Sequence, residues 1–305
     1  MTTETVAVVD SDFWRLQLHP EVWFTVATIV AIGVYVVRVV GPLALQGPNP
    51  PSTIVTRRQK LYFASGVLLL WVAADWPMHD ISEKYLYSMH MVQHLLISFV
   101  VPPLLLLATP EWLARLIVLD NSRSAAFLRR LSHPVLAAIA FNAVQVLTHW
   151  TVAVDWSVRS GAFHYLMHLL VFLTALMMWT PVLGPLKELQ VSEPAKMVYL
   201  FTMSIVPTVP AAWLTFAEGS VYSAYDHGAR LWGISVTSDQ QAAGVVMKII
   251  GGGYLWTLIA IRFFRWAAAQ RRADETERRQ RQNRLTNTPS STPANQDCTN
   301  NPIGS

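Results

Sequence analysis

Apolar residues along the chain gather into long runs separated by short polar stretches. Seven runs, about 22–40, 60–76, 87–108, 134–153, 163–183, 196–216 and 241–264, approach twenty residues, the length at which a helix rising 1.5 Å per residue crosses a bilayer core. None shows the ten-residue alternation of a barrel strand, and backbone polar groups in lipid need partners within their own segment, so the runs are predicted as helices. Pro102, Pro103, Pro207 and Pro210 fall inside the third and sixth runs, where kinks are expected. The pattern predicts an all-α integral membrane protein, a seven-transmembrane-helix bundle. It has an N-terminal segment at 1–21, a membrane domain at 22–266 and a tail at 267–305.

Composition agrees with that division. Of 305 residues 52% are hydrophobic and only 14% charged, against about a quarter charged in soluble domains, which excludes a water-soluble enzyme. The segment before the first run carries Glu4, Asp10, Asp12 and Glu21 against Arg15, and no Ala-x-Ala site follows, so the first run reads as a retained span and not as a cleaved signal. Residues 267–305 are rich in Arg, Gln, Asn, Thr and Pro; they read as a short helical continuation followed by a disordered basic tail. The single cysteine, Cys298, lies in that tail, which leaves no disulfide, Cys-x-x-Cys pair or thiolate cage within one chain.

Charge adds the orientation. Eighteen of the 23 Lys and Arg residues fall in one set of alternate loops, from Arg38 through Arg58, Arg115, Arg130 and Lys187 to the eight arginines between Arg262 and Arg284. The other set holds Arg15, Lys84, Arg159 and Arg230, and Lys248 lies inside the seventh run. By the positive-inside rule the N-terminus is outside and the C-terminus cytoplasmic, and the net charge of +4 reflects orientation, with no nucleic-acid partner implied.

With that topology eight of the nine histidines map to the outer side: His19, His79, His90, His94, His149, His164, His168 and His227; only His133 is cytoplasmic. His90 and His94 open the third span, His149 closes the fourth, and His164 and His168 open the fifth. Residues four apart on a helix are neighbours, roughly 5–6 Å between Cβ atoms, so each His-x-x-x-His pair can turn two nitrogens toward one ion. Neither pair carries the glutamate of a His-Glu-x-x-His zinc peptidase. Ionisable residues within spans are costly, and two pairs on different helices at one depth mark a functional site. His19, His79 and His227, taken singly, read as interfacial side chains or ones satisfied by backbone carbonyls.

Other side chains at that level add to the chemistry. Met78, Met89, Met91 and Met167 lie near the pairs, and imidazole with thioether is a soft set suited to copper, Cu(I) above all, although methionine also serves as packing filler. Asp75 and Asp239 are candidates to orient imidazoles or attract cations. Trp71, Trp76, Trp150, Trp156 and Trp179 read as interfacial anchors. Lys248 sits about 9 Å below the outer end of the seventh span and needs a partner, for which Asp75 or Asp239 is the expectation. A lysine in a seventh span also sketches a retinal protein, but the third span offers no buried carboxylate as counter-ion.

Four blocks stand out in order: MHMVQHLLISFVVPPLLLLATP at 89–110, LSHPVLAAIAFNAVQVLTHW at 131–150, AFHYLMHLLVFLTALMMWTPVLGP at 162–185 and SDQQAAGVVMKIIGG at 238–252. Together they resemble the CtaG family of multi-span cytochrome c oxidase assembly factors, over about 60–266. The resemblance implies a multi-pass protein of the bacterial plasma (inner) membrane, needed for maturation of a haem-copper oxidase and taking part in its copper supply. The family's histidine motifs fall on His90 and His94, on His149, and on His164 and His168. Its Asp-Gln-Gln block falls on Asp239, Gln240 and Gln241. A different, single-span copper chaperone that shares the name uses paired cysteines, which this chain lacks.

The leading expectation is a non-enzymatic assembly factor that binds copper on His90, His94, His164 and His168, with His149 as a further ligand or orienter. Met89, Met91, Met167, Asp75, Asp239 and Lys248 support that set. The partners would be cytochrome c oxidase subunits, the lipid bilayer and a periplasmic or extracytoplasmic copper donor, and protonation of the imidazoles should release the metal. Two rivals stay open. One is an electron-transfer protein with a b-type haem between one histidine of the third span and one of the fifth, which a Soret band would reveal. The other is a metal-free scaffold that docks oxidase subunits through lipid-facing residues, which histidine variants would leave working.

Overall fold

A computed structural model describes residues 16–47, 50–118, 122–226 and 231–286. His227 and Arg230, the residues before Leu16 and the end of the tail with Cys298 lie outside them. The described residues hold helices and no strand.

α1 runs over Pro20–Leu45, with a wide-turn π segment at Val36–Val40. α2, Arg57–Ala74, starts on a capping box in which Thr56 and Gln59 bond each other's backbone. It ends before the expected 76 because Asp75 is extended ahead of the Trp76–Pro77 peptide, and the short α3, Met78–Lys84, follows. α4 spans Tyr87–Ala108, the expected 87–108. α5, Glu111–Val118, and α6, Arg123–Leu131, precede α7 at Pro134–Thr148. α7 stops short of the expected 153 because the His149 carbonyl is taken by the Tyr222 hydroxyl at 2.8 Å; the chain turns into α8, Thr151–Arg159. α9 covers Gly161–Leu183. The sixth run is broken at Val206 and Pro207 into α10, Glu193–Ile205, and α11, Thr208–Thr215. α12 begins as Val236–Val245, passes through a π segment at Val246–Gly252 and continues as Gly253–Thr286.

Six helices are long and apolar enough to cross a membrane, and a seventh span results if α6 and α7, bent by 71°, count as one. Large apolar side chains such as Phe24, Ile32, Leu61, Ile139 and Ile249 face outward from them, as lipid-facing residues do. The protein is therefore a membrane protein. Two compact units divide the chain, residues 1–260 and 261–305. In the second, the described chain is helical to Thr286, well beyond the short continuation expected, because Arg, Gln, Ala and Glu are good helix formers and Glu275 and Glu277 stand four residues before Arg279 and Arg281.

Within the first unit α4 is the central helix: 56% of its apolar window is buried, against 6% for α1. Two apolar clusters flank it. Toward its C-terminal half, Phe99 packs with Phe141, Met178, Trp179, Leu200, Met203 and Leu255. Trp179 is fully buried there and is not the interfacial anchor expected. Toward its N-terminal half, Tyr87 and Met91 pack with Ala211, Leu214, Tyr222, Tyr225, Ala243 and Met247. α12 can approach α11 because residue 244 is glycine: a Cβ there would meet Thr215 Oγ1 at 2.4 Å and the Ala211 carbonyl at 2.6 Å.

Candidate metal centre

The histidines gather at the end of the bundle where α4 and α9 begin and α7 ends. The first turn of α4 has no cap of its own from Leu86. Asp239, from α12, supplies one. Its Oδ2 accepts the Tyr87 N–H at 2.6 Å and its Oδ1 accepts the Ser88 N–H at 3.1 Å together with the Ser88 hydroxyl. A carboxylate on the donors of a helix N-terminus is favoured by both hydrogen bonding and the helix dipole. Next to it Gln240 Oε1 accepts the Val221 and Tyr222 N–H groups, and its amide donates to the Tyr222 carbonyl at 3.0 Å. Gln241 donates to the Ala217 carbonyl at 2.9 Å. The Asp-Gln-Gln block thus ties α12 to the start of α4 and to the loop above α11. Burial pushes the Tyr222 hydroxyl up to about 12, so it stays a donor to the His149 carbonyl at every ordinary pH.

On this frame four imidazoles meet. Ring centroids are 4.4 Å apart for His90 and His94, 4.3 Å for His164 and His168, 4.9 Å for His94 and His168, and 5.4 Å for His90 and His164. One ligand nitrogen from each of His90, His164 and His168 lies within 4.8 Å of the others. Bonds of 2.0–2.1 Å let two ligands of one ion stand at most about 4.2 Å apart, so small ring rotations close the set. The rings, with Met167, surround a void of about 10 Å³, room for one water-sized body. Held between the α4 pair and the α9 pair, that void is far smaller than a porphyrin.

The hydrogen bonding is incomplete in a specific way. His90 Nδ1, both nitrogens of His94, His149 Nε2, both nitrogens of His164 and His168 Nε2 are buried without a hydrogen-bond partner. A buried polar group left unpartnered costs about 1–3 kcal/mol. Among these rings His90, His164 and His168 each bring one nitrogen to the common group, and neutral imidazole lone pairs gathered in that way are what a metal ion takes up.

The other expected site residues divide. His149 stands 6.3 Å from His94, its Nδ1 donating to the Gln145 carbonyl at 2.7 Å and its Nε2 free, the arrangement that orients a metal-binding histidine. Met91 lines a separate cavity of about 40 Å³ with His94, His149, Met203 and Met247. Met89 packs toward Ile81, Leu86 and Leu231, and Met78 toward Ala73, Ile97 and Val171, both away from the void. Asp75 accepts the Trp71 indole N–H at 2.7 Å and Asp239 caps α4, so neither orients an imidazole. Lys248 does not reach either carboxylate: its ammonium donates to Thr208 Oγ1 at 2.7 Å. The π segment turns Lys248 outward, and the break in the sixth run leaves Thr208 beside it.

Two residues read as bland belong here. His79 stacks edge-on to His164 at 5.4 Å, and His19 to His79 at 4.7 Å, with His19 Nε2 on Asp80 at 2.9 Å. Glu83 lies between His79 and His164. The sequence held one signal for this, since His79 and Glu83 have the same four-residue spacing as the recognised pairs.

A family model described as cytochrome c oxidase caa3 assembly factor matches residues 33–269. No curated protein and no solved structure matches the chain. The matched segment runs from within α1 to within α12 and contains His79, His90, His94, His149, His164 and His168, and the chain therefore belongs to the family of cytochrome c oxidase caa3 assembly factors.

Proposed function

We propose that this assembly factor carries copper to the oxidase, holding it on His90, His164 and His168 with His94 adjoining and His149 one ring further on. The histidine end faces the extracytoplasmic side of a bacterial plasma membrane, the N-terminus outside and the tail in the cytoplasm, where the excess of Lys and Arg belongs. Four imidazoles and the Met167 thioether around one small void form a soft donor set, which suits Cu(I). The observation that carries the reading is that one ring nitrogen from each of His90, His164 and His168 lies within 4.8 Å of the others, on rings whose buried nitrogens lack hydrogen-bond partners. Copper is cargo in this reading: His residues take it from an extracytoplasmic donor, exclude water around it, and surrender it to oxidase subunits docked on the bundle.

Replacing His94 and His168 together by Ala is expected to lower copper retention in purified protein at least tenfold, read by mass spectrometry. Oxidase activity in cells should fall while the abundance of this protein stays level. Full oxidase activity in that variant would overturn the copper role and leave a scaffold that assembles subunits without metal.

A further inference from the structure

Beside the buried trio a second set of ligand atoms converges. One atom from each of His79, Glu83 and His164 lies within 4.8 Å of the others. Glu83 bridges the two rings, its Oε2 3.4 Å from His79 Nε2 and its Oε1 3.8 Å from His164 Nδ1. Gln93 stands behind the His79 ring, its amide nitrogen 3.3 Å from Nδ1 and donating to the Ala73 carbonyl at 2.7 Å, while Ser82 donates to its oxygen at 2.8 Å; with Nε2 on an ion the His79 proton sits on Nδ1 and the amide contact there is given up. His164 is only 3% exposed and neither of its nitrogens has a hydrogen-bond partner. His79, Glu83, His164 and His168 line a cavity of about 750 Å³ that reaches His19, Glu21 and Gln17, whereas His90 and His94 line the small void, which shares His164 and His168 with that cavity.

We propose that His79, Glu83 and His164 form a second metal position, which takes a borderline cation, copper or zinc, from the larger cavity and shares His164 with the buried trio. Two imidazoles and a carboxylate are a harder set than four imidazoles and a thioether, so the outer position holds a soft ion less tightly. A neutral imidazole has one lone pair; His164 therefore serves one ion at a time, and the two positions are filled alternately. A Cu(I) ion at the outer position is one ring away from the trio and passes inward with its oxidation state unchanged, by exchanging His79 and Glu83 for His90 and His168. The transfer role rests on the copper reading above; the position itself does not.

The test uses full-length protein in detergent and Cu(II) alone as probe. With His90→Ala and His168→Ala the trio is gone, and electron paramagnetic resonance is expected to detect one bound Cu(II) coupled to two nitrogens. Adding Glu83→Gln should weaken that binding at least tenfold, and adding His79→Ala should remove one of the two nitrogen couplings. A folded His90→Ala, His168→Ala protein that binds no Cu(II), or binding indifferent to Glu83→Gln, would overturn the proposal. Glu83→Gln in the otherwise unaltered chain should slow uptake of Cu(I) from a colorimetric chelator complex at least tenfold, and an unchanged rate would overturn the transfer role. Failure of the copper reading looks different: retention of Cu(I) would then be indifferent to His90→Ala and His168→Ala while the outer position persists.

Discussion

Asp239 illustrates how a residue can serve the histidines without touching them, since its carboxylate is spent on the Tyr87 and Ser88 N–H groups and the Ser88 hydroxyl at the start of α4. His90 and His94 follow one and two turns later, so the cap fixes the depth and rotation at which their rings enter the void. Asp239→Ala removes a charge-assisted cap and is expected to destabilise the fold by about 1–3 kcal/mol, lowering the thermal midpoint in detergent, whereas Asp239→Asn keeps part of the bonding and should fall between. An unchanged midpoint in the alanine variant would show that α4 is held by other means. The sequence could place Asp239 at the mouth of the seventh span, but not say which donors it meets, because those belong to a helix some 150 positions away. His79 was missed for a related reason: a single histidine near a helix end has many uses, and its neighbours His19 and His164 come from other elements.

Among the elements, the prolines of α4 were legible and their effect was not. Pro102 has no N–H for the Ser98 carbonyl four residues back, and the helix widens to π geometry over Leu96–Val100. The Ser98 carbonyl is instead taken by the Trp179 indole N–H at 2.9 Å, which ties α9 to α4 below the histidines. Trp179→Phe is expected to cost about 1–2 kcal/mol through the orphaned carbonyl and to loosen both histidine-bearing helices, so a lower thermal midpoint should come with faster copper loss. A variant that melts and releases copper like the parent would separate this bond from the site. Lys248 shows the limit of span-by-span reading: its depth followed from helix rise, but its partner Thr208 became available only through the break between α10 and α11, which a proline pattern announces without giving its direction.

For the whole molecule, hydrophobic run length fixed the membrane class and most helix positions, while the number of crossings turns on whether α6 and α7 act together. The uneven distribution of Lys and Arg predicts which end faces the cytoplasm. A cysteine placed at the exposed Gly219, with Cys298→Ser as background, should react with a membrane-impermeant maleimide on intact cells. Labelling only after lysis would invert the orientation. The fifteen residues of α7 have a further consequence. At 1.5 Å per residue they extend about 22 Å, short of a hydrocarbon core of about 30 Å. Where α7 crosses alone, without α6, a mismatch of that size would draw the bilayer inward beside it, at the end capped by His149. A crossing of that kind would suit the protein to a locally thin membrane: reconstituted copper uptake should then be faster in lipids with acyl chains of about 14 carbons than in lipids of about 22, and the same dimple would favour lateral encounter with other proteins that thin the bilayer.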